Sequence, residues 1–217
     1  MALLVPVSAG CSSPPPVPSS PAPAAPCLDS EGRLAADVDA DGRLDHVTGF
    51  DGAGAGLRIF FGGRSDPRTP RDLLGERGSE EDEVMAAVAD FDGDGWLDLA
   101  IASTGPVRGD DPVPSPVTEL RPGPFSDRGV GQRTVELDLR TTFGLRVVDY
   151  NGDEHPDLAS FVYAGDGVYE VDGLLGGVGD GLSGRDPELL DHDAWEGGPE
   201  EELPPQAMGR FYSVCTS

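Results

Sequence analysis

Three stretches of the chain carry closely spaced carboxylates in one frame: Leu34-Ala-Ala-Asp-Val-Asp-Ala-Asp-Gly-Arg-Leu-Asp45, Val88-Ala-Asp-Phe-Asp-Gly-Asp-Gly-Trp-Leu-Asp98 and Val147-Val-Asp-Tyr-Asn-Gly-Asp-Glu-His-Pro-Asp157. Acids at loop positions 1, 3, 5 and 9 are suited to coordinating a hard cation. Calcium takes six to eight oxygen ligands, and a tight loop can converge that many. Magnesium rarely uses an all-protein cage. The expected ligands of the first loop are Asp37, Asp39, Asp41, the Arg43 carbonyl and Asp45. Those of the second are Asp90, Asp92, Asp94, the Trp96 carbonyl and Asp98. Those of the third are Asp149, Asn151, Asp153, the His155 carbonyl and Asp157. A glycine at position 6 permits the turn in the first two loops. Glu154 takes that place in the third, Asn151 is neutral and Pro156 stiffens the exit, so the third loop is predicted to bind more weakly.

The elements that hold these loops are predicted to be strands. An EF-hand needs a bidentate Glu at position 12 and a helix on each side. Position 12 is Thr48, Ile101 or Ser160, and the flank Leu97-Asp-Leu-Ala-Ile-Ala alternates in the strand manner. Gly (31) and Pro (21) are abundant, in keeping with a turn-rich β fold. First aspartates recur after about 53 and about 59 residues, compatible with a propeller blade.

The strand–acidic loop–strand unit resembles the FG-GAP/VCBS repeats of integrin-α-type β-propellers. Leu57-Arg-Ile-Phe-Phe-Gly-Gly, and more loosely Val168 to the Gly-Gly pair at 176–177, match the apolar strand ending in Gly-Gly that follows the loop in that family. The resemblance covers roughly residues 30–214 and implies an all-β fold, a small or incomplete β-propeller of three to four blades; a wrapped sheet that never closes is the alternative. Gln206–Val214 echoes the start of the second repeat with Arg210 in place of the first Asp, and is expected to add a single strand to the first blade.

The N-terminus, ending Ser8-Ala-Gly-Cys11, looks like the remnant of a bacterial lipoprotein signal peptide over residues 1–10, with Cys11 as the lipidated residue. Residues 11–27 are Pro-rich and predict an extended stalk. Residues 28–217 would form the repeat domain. With Cys11 lipidated, the two remaining cysteines, Cys27 and Cys215, are predicted to pair in an oxidising exterior.

A formal net charge of −25 argues against nucleic acid and against docking on anionic lipid, leaving the lipid anchor as the expected link to a membrane. The expected function is a monomeric, extracellular, surface-tethered calcium-binding module that contacts a surface protein or glycan. The alternatives are a polysaccharide-acting hydrolase or lyase on the same scaffold, or a degenerate fragment of a longer propeller. No catalytic residues are predicted. The Gly179–Gly184 stretch has the G-x-G-x-x-G spacing without a helix to follow, and Asp191-His-Asp193 offers too few ligands for a metal site.

Overall fold

In each repeat the last aspartate of the acidic loop begins a strand. A computed structural model describes residues 24–113, 115–179, 181–183, 193–194 and 198–216. Residues 1–10, Cys11 and most of the Pro-rich stalk lie outside the described residues, as do Asp191 and His192. The fold is all-β, and the described residues form three four-stranded antiparallel sheets. The first contains β1 (Cys27–Leu28), β2 (Leu34–Ala36), β3 (Asp45–Thr48) and β4 (Arg58–Phe60). The second contains β5 (Glu83–Ala89), β6 (Asp98–Thr104), β7 (Val117–Arg121) and β8 (Val135–Glu136). The third contains β9 (Thr141–Val148), β10 (Asp157–Gly165), β11 (Val168–Leu174) and β12 (Asp193–Ala194). Each is a meander in which sequence neighbours pair, and no sheet closes on itself.

The acidic loops join β2 to β3, β5 to β6 and β9 to β10 in identical register. Ala36 faces Asp45, Ala89 faces Asp98 and Val148 faces Asp157. Every residue of β6 is buried, with Leu99 and Ile101 alternating with Ala100 and Ala102. Both faces of this strand are therefore covered, and small residues on one of them allow close packing. One apolar cluster runs through all three sheets and includes Leu34, Ile59, Phe91, Ile101, Leu145 and Leu158. Each fully buried Leu, Ile or Phe in it contributes about 1.5–3 kcal/mol.

The sheets are joined by short backbone contacts. The Phe125 N–H, just past β7, donates to the Val38 carbonyl of the first loop at 3.0 Å. The Gly177 N–H, just past β11, donates to the Phe91 carbonyl of the second loop at 3.1 Å. Gly179 N–H adds a bond to the Asp92 carbonyl at 2.7 Å, so the glycine-rich stretch at 176–179 lies against the second acidic loop. The exit segments of the second and third sheets thus seal the acidic loop of the sheet before them.

The C-terminal segment then touches all three sheets. Ala207 N–H donates to the Val147 carbonyl in β9. The Tyr212 hydroxyl accepts from Asp90 N–H at 2.9 Å. Leu28 N–H donates to Ser213 O at 2.8 Å, and Cys215 N–H returns a bond to Leu28 O at 2.9 Å. Cys27 and Cys215 form a disulfide with Cα atoms 4.9 Å apart, the predicted pairing. The predicted extra strand is only partly present. Val214 makes one parallel bridge to Leu28, whereas Met208–Phe211 is a helical turn. In a strand Met208, Arg210 and Tyr212 would share one face. Met208 and Tyr212 are buried, so a strand would carry the Arg210 charge inward with them. A helical turn keeps positions four apart together while turning Arg210 away from that face.

The disulfide joins positions 188 residues apart, so its removal frees the unfolded chain over nearly the whole domain. The Cys27→Ala/Cys215→Ala variant is expected to unfold at lower urea with a steeper slope, because the freed unfolded chain exposes more surface, and to lose about 2–5 kcal/mol. An unchanged midpoint would show that the hydrogen bonds around Leu28 suffice to hold the ends together.

Candidate metal centre

The local geometry of the three loops follows from two backbone features. Positions 4 and 6 both have positive φ in every copy: Ala40 (60°) and Gly42 (81°), Gly93 (68°) and Gly95 (92°), Gly152 (73°) and Glu154 (67°). Two of these six are not glycine, and left-handed backbone costs an L residue about 1–2 kcal/mol. The N–H of Arg43, Trp96 and His155 each donates to the carboxylate of the position-5 residue, Asp41, Asp94 and Asp153, at 2.8 Å. These bonds fix the turn that carries the expected carbonyl ligands.

The last aspartate works as a clamp. One oxygen of Asp45, Asp98 and Asp157 accepts the N–H of position 2, from Val38 (2.7 Å), Phe91 (2.9 Å) and Tyr150 (2.8 Å). The other accepts an N–H from a glycine after the third strand of the unit: Gly62 (2.5 Å), Gly123 (2.8 Å) and Gly176 (2.8 Å). All three aspartates are fully buried. The glycines are required by close approach. A Cβ on Gly176 would lie 2.0 Å from the Pro156 carbonyl oxygen, and one on Gly123 would lie 2.2 Å from that of Leu97. This explains the Gly-Gly endings at 62–63 and 176–177, whose first glycine reaches the clamp. Gly123 does the same work from an Arg-Pro-Gly-Pro context that carries no Gly-Gly signal.

Two loops gather carboxylates closely enough to hold a metal ion. In Asp37, Asp39 and Asp45, and again in Asp90, Asp92 and Asp98, one ligand atom from each residue lies within 4.8 Å of the others. Burial raises the carboxyl pKa of Asp45 to about 6, of Asp90 to about 6 and of Asp98 to about 8, with neighbouring carboxylates adding to the rise and backbone N–H groups opposing it. Burial also raises Asp39 and Asp94. The Oδ1 atom of Asp90 is buried and has no hydrogen-bond partner. A buried acceptor left unpaired is costly, and a cation among Asp90, Asp92 and Asp98 would satisfy it. The donor set is all oxygen, which fits a hard divalent ion.

The third loop differs. Among the described residues the carboxylates Asp149, Asp153 and Asp157 do not form such a cluster, and position 3, an aspartate in the other two loops, is the neutral Asn151. Asp149 Oδ2 is instead bound by Arg210 Nη1 at 2.9 Å, and Asn151 Nδ2 donates to Asp153 Oδ2 at 2.8 Å. The partnership of Arg210 with Asp149, and of Tyr212 with the start of the second loop, had no sequence signal beyond the placement of Arg210 where a first Asp would stand. Compared with known proteins, the chain matches no protein family, no curated protein and no solved structure.

Two expectations follow from this geometry. Gly176→Ala should destabilise the protein by about 1–3 kcal/mol, because the added methyl must push the Pro156 carbonyl away from the clamp; urea unfolding of this variant beside Gly177→Ala, whose Cβ would meet nothing within 4 Å, is the check.

The second concerns pH. A carboxyl whose pKa is raised on folding binds its proton more tightly in the folded state. The stability it contributes is complete below the ordinary carboxylate value and is lost as pH rises through the folded value. The metal-free protein is therefore expected to lose stability between about pH 4 and about pH 8, with Asp45 and Asp90 responsible near 6 and Asp98 near 8. Saturating divalent ion requires the ionised carboxylates and should reverse the slope. Urea midpoints across this range in EDTA and in calcium would test it, and a metal-free midpoint that rises with pH would contradict it.

Proposed function

We propose that this chain is a calcium-stabilised repeat module of the FG-GAP/VCBS kind, displayed outside the cell on a lipidated Cys11 and a Pro-rich stalk. Its three meanders would be blades of a small propeller, each contacted by the C-terminal segment. The observation that carries the calcium assignment is the buried, unpartnered Asp90 Oδ1 beside Asp92 and Asp98. The first loop offers the same ligand set in Asp37, Asp39 and Asp45. Asp41 and Asp94 stand at the exposed side of their loops, where they can complete the shell.

In this role the ion is structural. It would neutralise carboxylates that the clamps hold together, and so fix the turns from which neighbouring loops project. The exposed residues around those turns would then contact a surface protein or a glycan. No step of chemistry is assigned to the clusters.

Melting followed in EDTA and in about 1 mM calcium tests the proposal, since extracellular modules commonly bind in the 10⁻⁴–10⁻³ M range. At about ten times the dissociation constant each occupied site adds roughly 1.4 kcal/mol. The Asp90→Asn variant should lose the second loop's share of that increment. An unchanged melting midpoint on adding calcium would refute the assignment. Binding to a glycan array in calcium, lost in EDTA, would support the interaction role.

A further inference from the structure

The three acidic loops share a frame but differ at their first aspartate. In the first loop Asp37 Oδ2 accepts the N–H of position 6, Gly42, at 3.0 Å. In the second Asp90 Oδ2 accepts the equivalent N–H of Gly95, also at 3.0 Å. In the third the partner of Asp149 Oδ2 is the guanidinium of Arg210, at 2.9 Å, while Oδ1, like that of Asp90, is buried without a hydrogen-bond partner. The Asp149 side chain is only 2% exposed, while that of Arg210 is 66% exposed. The arginine reaches in from solvent and sets a positive charge on a buried carboxylate.

Three independent features place Arg210 there. Ala207 N–H is bonded to the Val147 carbonyl, two residues before Asp149, so the Met208–Phe211 turn starts beside the loop. Met208 and Tyr212 are buried on one side of the helical turn, which directs Arg210 the other way. The first two loops are sealed by the exit segment of the following sheet, through Phe125 and Gly177. No fourth sheet follows the third loop among the described residues, and the C-terminal segment stands beside it.

The interior of the third loop is arranged to match. Asn151 turns its amide N–H toward Asp153, meeting with a hydrogen bond a carboxylate that a metal would otherwise engage. Glu154 holds the left-handed turn without a glycine.

We propose that Arg210 is the resident cation of the third loop: it neutralises Asp149, keeps the loop closed to divalent ions, and holds the C-terminal segment on the third sheet whether or not calcium is present. The chain then takes two divalent ions rather than three, a count that rests on the calcium assignment of the first two loops.

Equilibrium dialysis with radioactive calcium gives the test on the full chain. Wild type should bind two equivalents. Asn151→Asp/Glu154→Gly, which restores the acidic ligand and the glycine but keeps Arg210, should still bind two. Adding Arg210→Gln should raise the count to three, and Arg210→Lys in its place should return it to two. A third equivalent bound while Arg210 is present, or none gained when it is removed, would overturn the proposal. A metal-free cycle covers the case in which the triple variant does not fold. In EDTA, Asp149→Asn and Arg210→Gln should each lower the urea midpoint, and the double variant should lose less than their sum; simple additivity would overturn the pairing. If wild type binds no calcium at all, the assignment of the first two loops fails, and the cycle still decides the role of Arg210.

Discussion

The interaction on which this fold depends is the double hydrogen bond made by the last aspartate of each acidic loop. Asp45, Asp98 and Asp157 each hold two backbone N–H groups, one at the entrance of the loop and one just past the third strand of the unit. Each such bond contributes about 0.5–1.5 kcal/mol while the carboxyl is protonated and about 1.5–3 kcal/mol once it is ionised. The clamp therefore ties a loop and three strands into one unit. It also makes the loop conformation a consequence of the sheet, since the same residue begins the second strand of the unit.

The clamp has an electrostatic consequence. Fixing a buried carboxylate beside two or three others raises the free energy of the ionised state, as the elevated pKa values of Asp45, Asp90 and Asp98 show. Backbone N–H groups offset only part of that cost. The chain meets the remainder differently in different places. Asp90 Oδ1 and Asp149 Oδ1 are both buried without a hydrogen-bond partner; on the other oxygen Asp90 holds the backbone N–H of Gly95, whereas Asp149 holds the Arg210 guanidinium. A protein with a net charge of −25 thus deploys one of its few cations where, among the described residues, no sheet follows the acidic loop to cover it.

Cohesion between sheets has a separate origin. Exit segments reach back to the loop before them, and residues 207–215 cross all three sheets before the Cys27–Cys215 bond fixes the chain ends. Burial of Met208 and Tyr212 in the common core makes this segment part of the fold and not a tail laid over it. The acidic loops, the exit glycines and the C-terminal turn are consequently one connected structure.

Much of the local design was legible in the residues. The loop frame located three strand pairs to the residue, because an aspartate that must return to position 2 fixes where the next strand starts. The carboxylate spacing identified the first two clusters, and cysteine number and placement identified the disulfide. The Gly-Gly endings were visible as a pattern, but their purpose was not: the contact of Gly176 with the Pro156 carbonyl exists only once β10 and β11 are paired. Gly123 escaped notice because close approach requires a missing side chain, not a particular neighbour. Spacing within a loop determines which groups can converge, since the chain between them is too short to do otherwise. Whether they do converge was decided by what arrives from far away in sequence. Arg210 reaches Asp149 across 61 residues and Tyr212 reaches Asp90 across 122, and no local pattern encodes a meeting that depends on how three sheets pack.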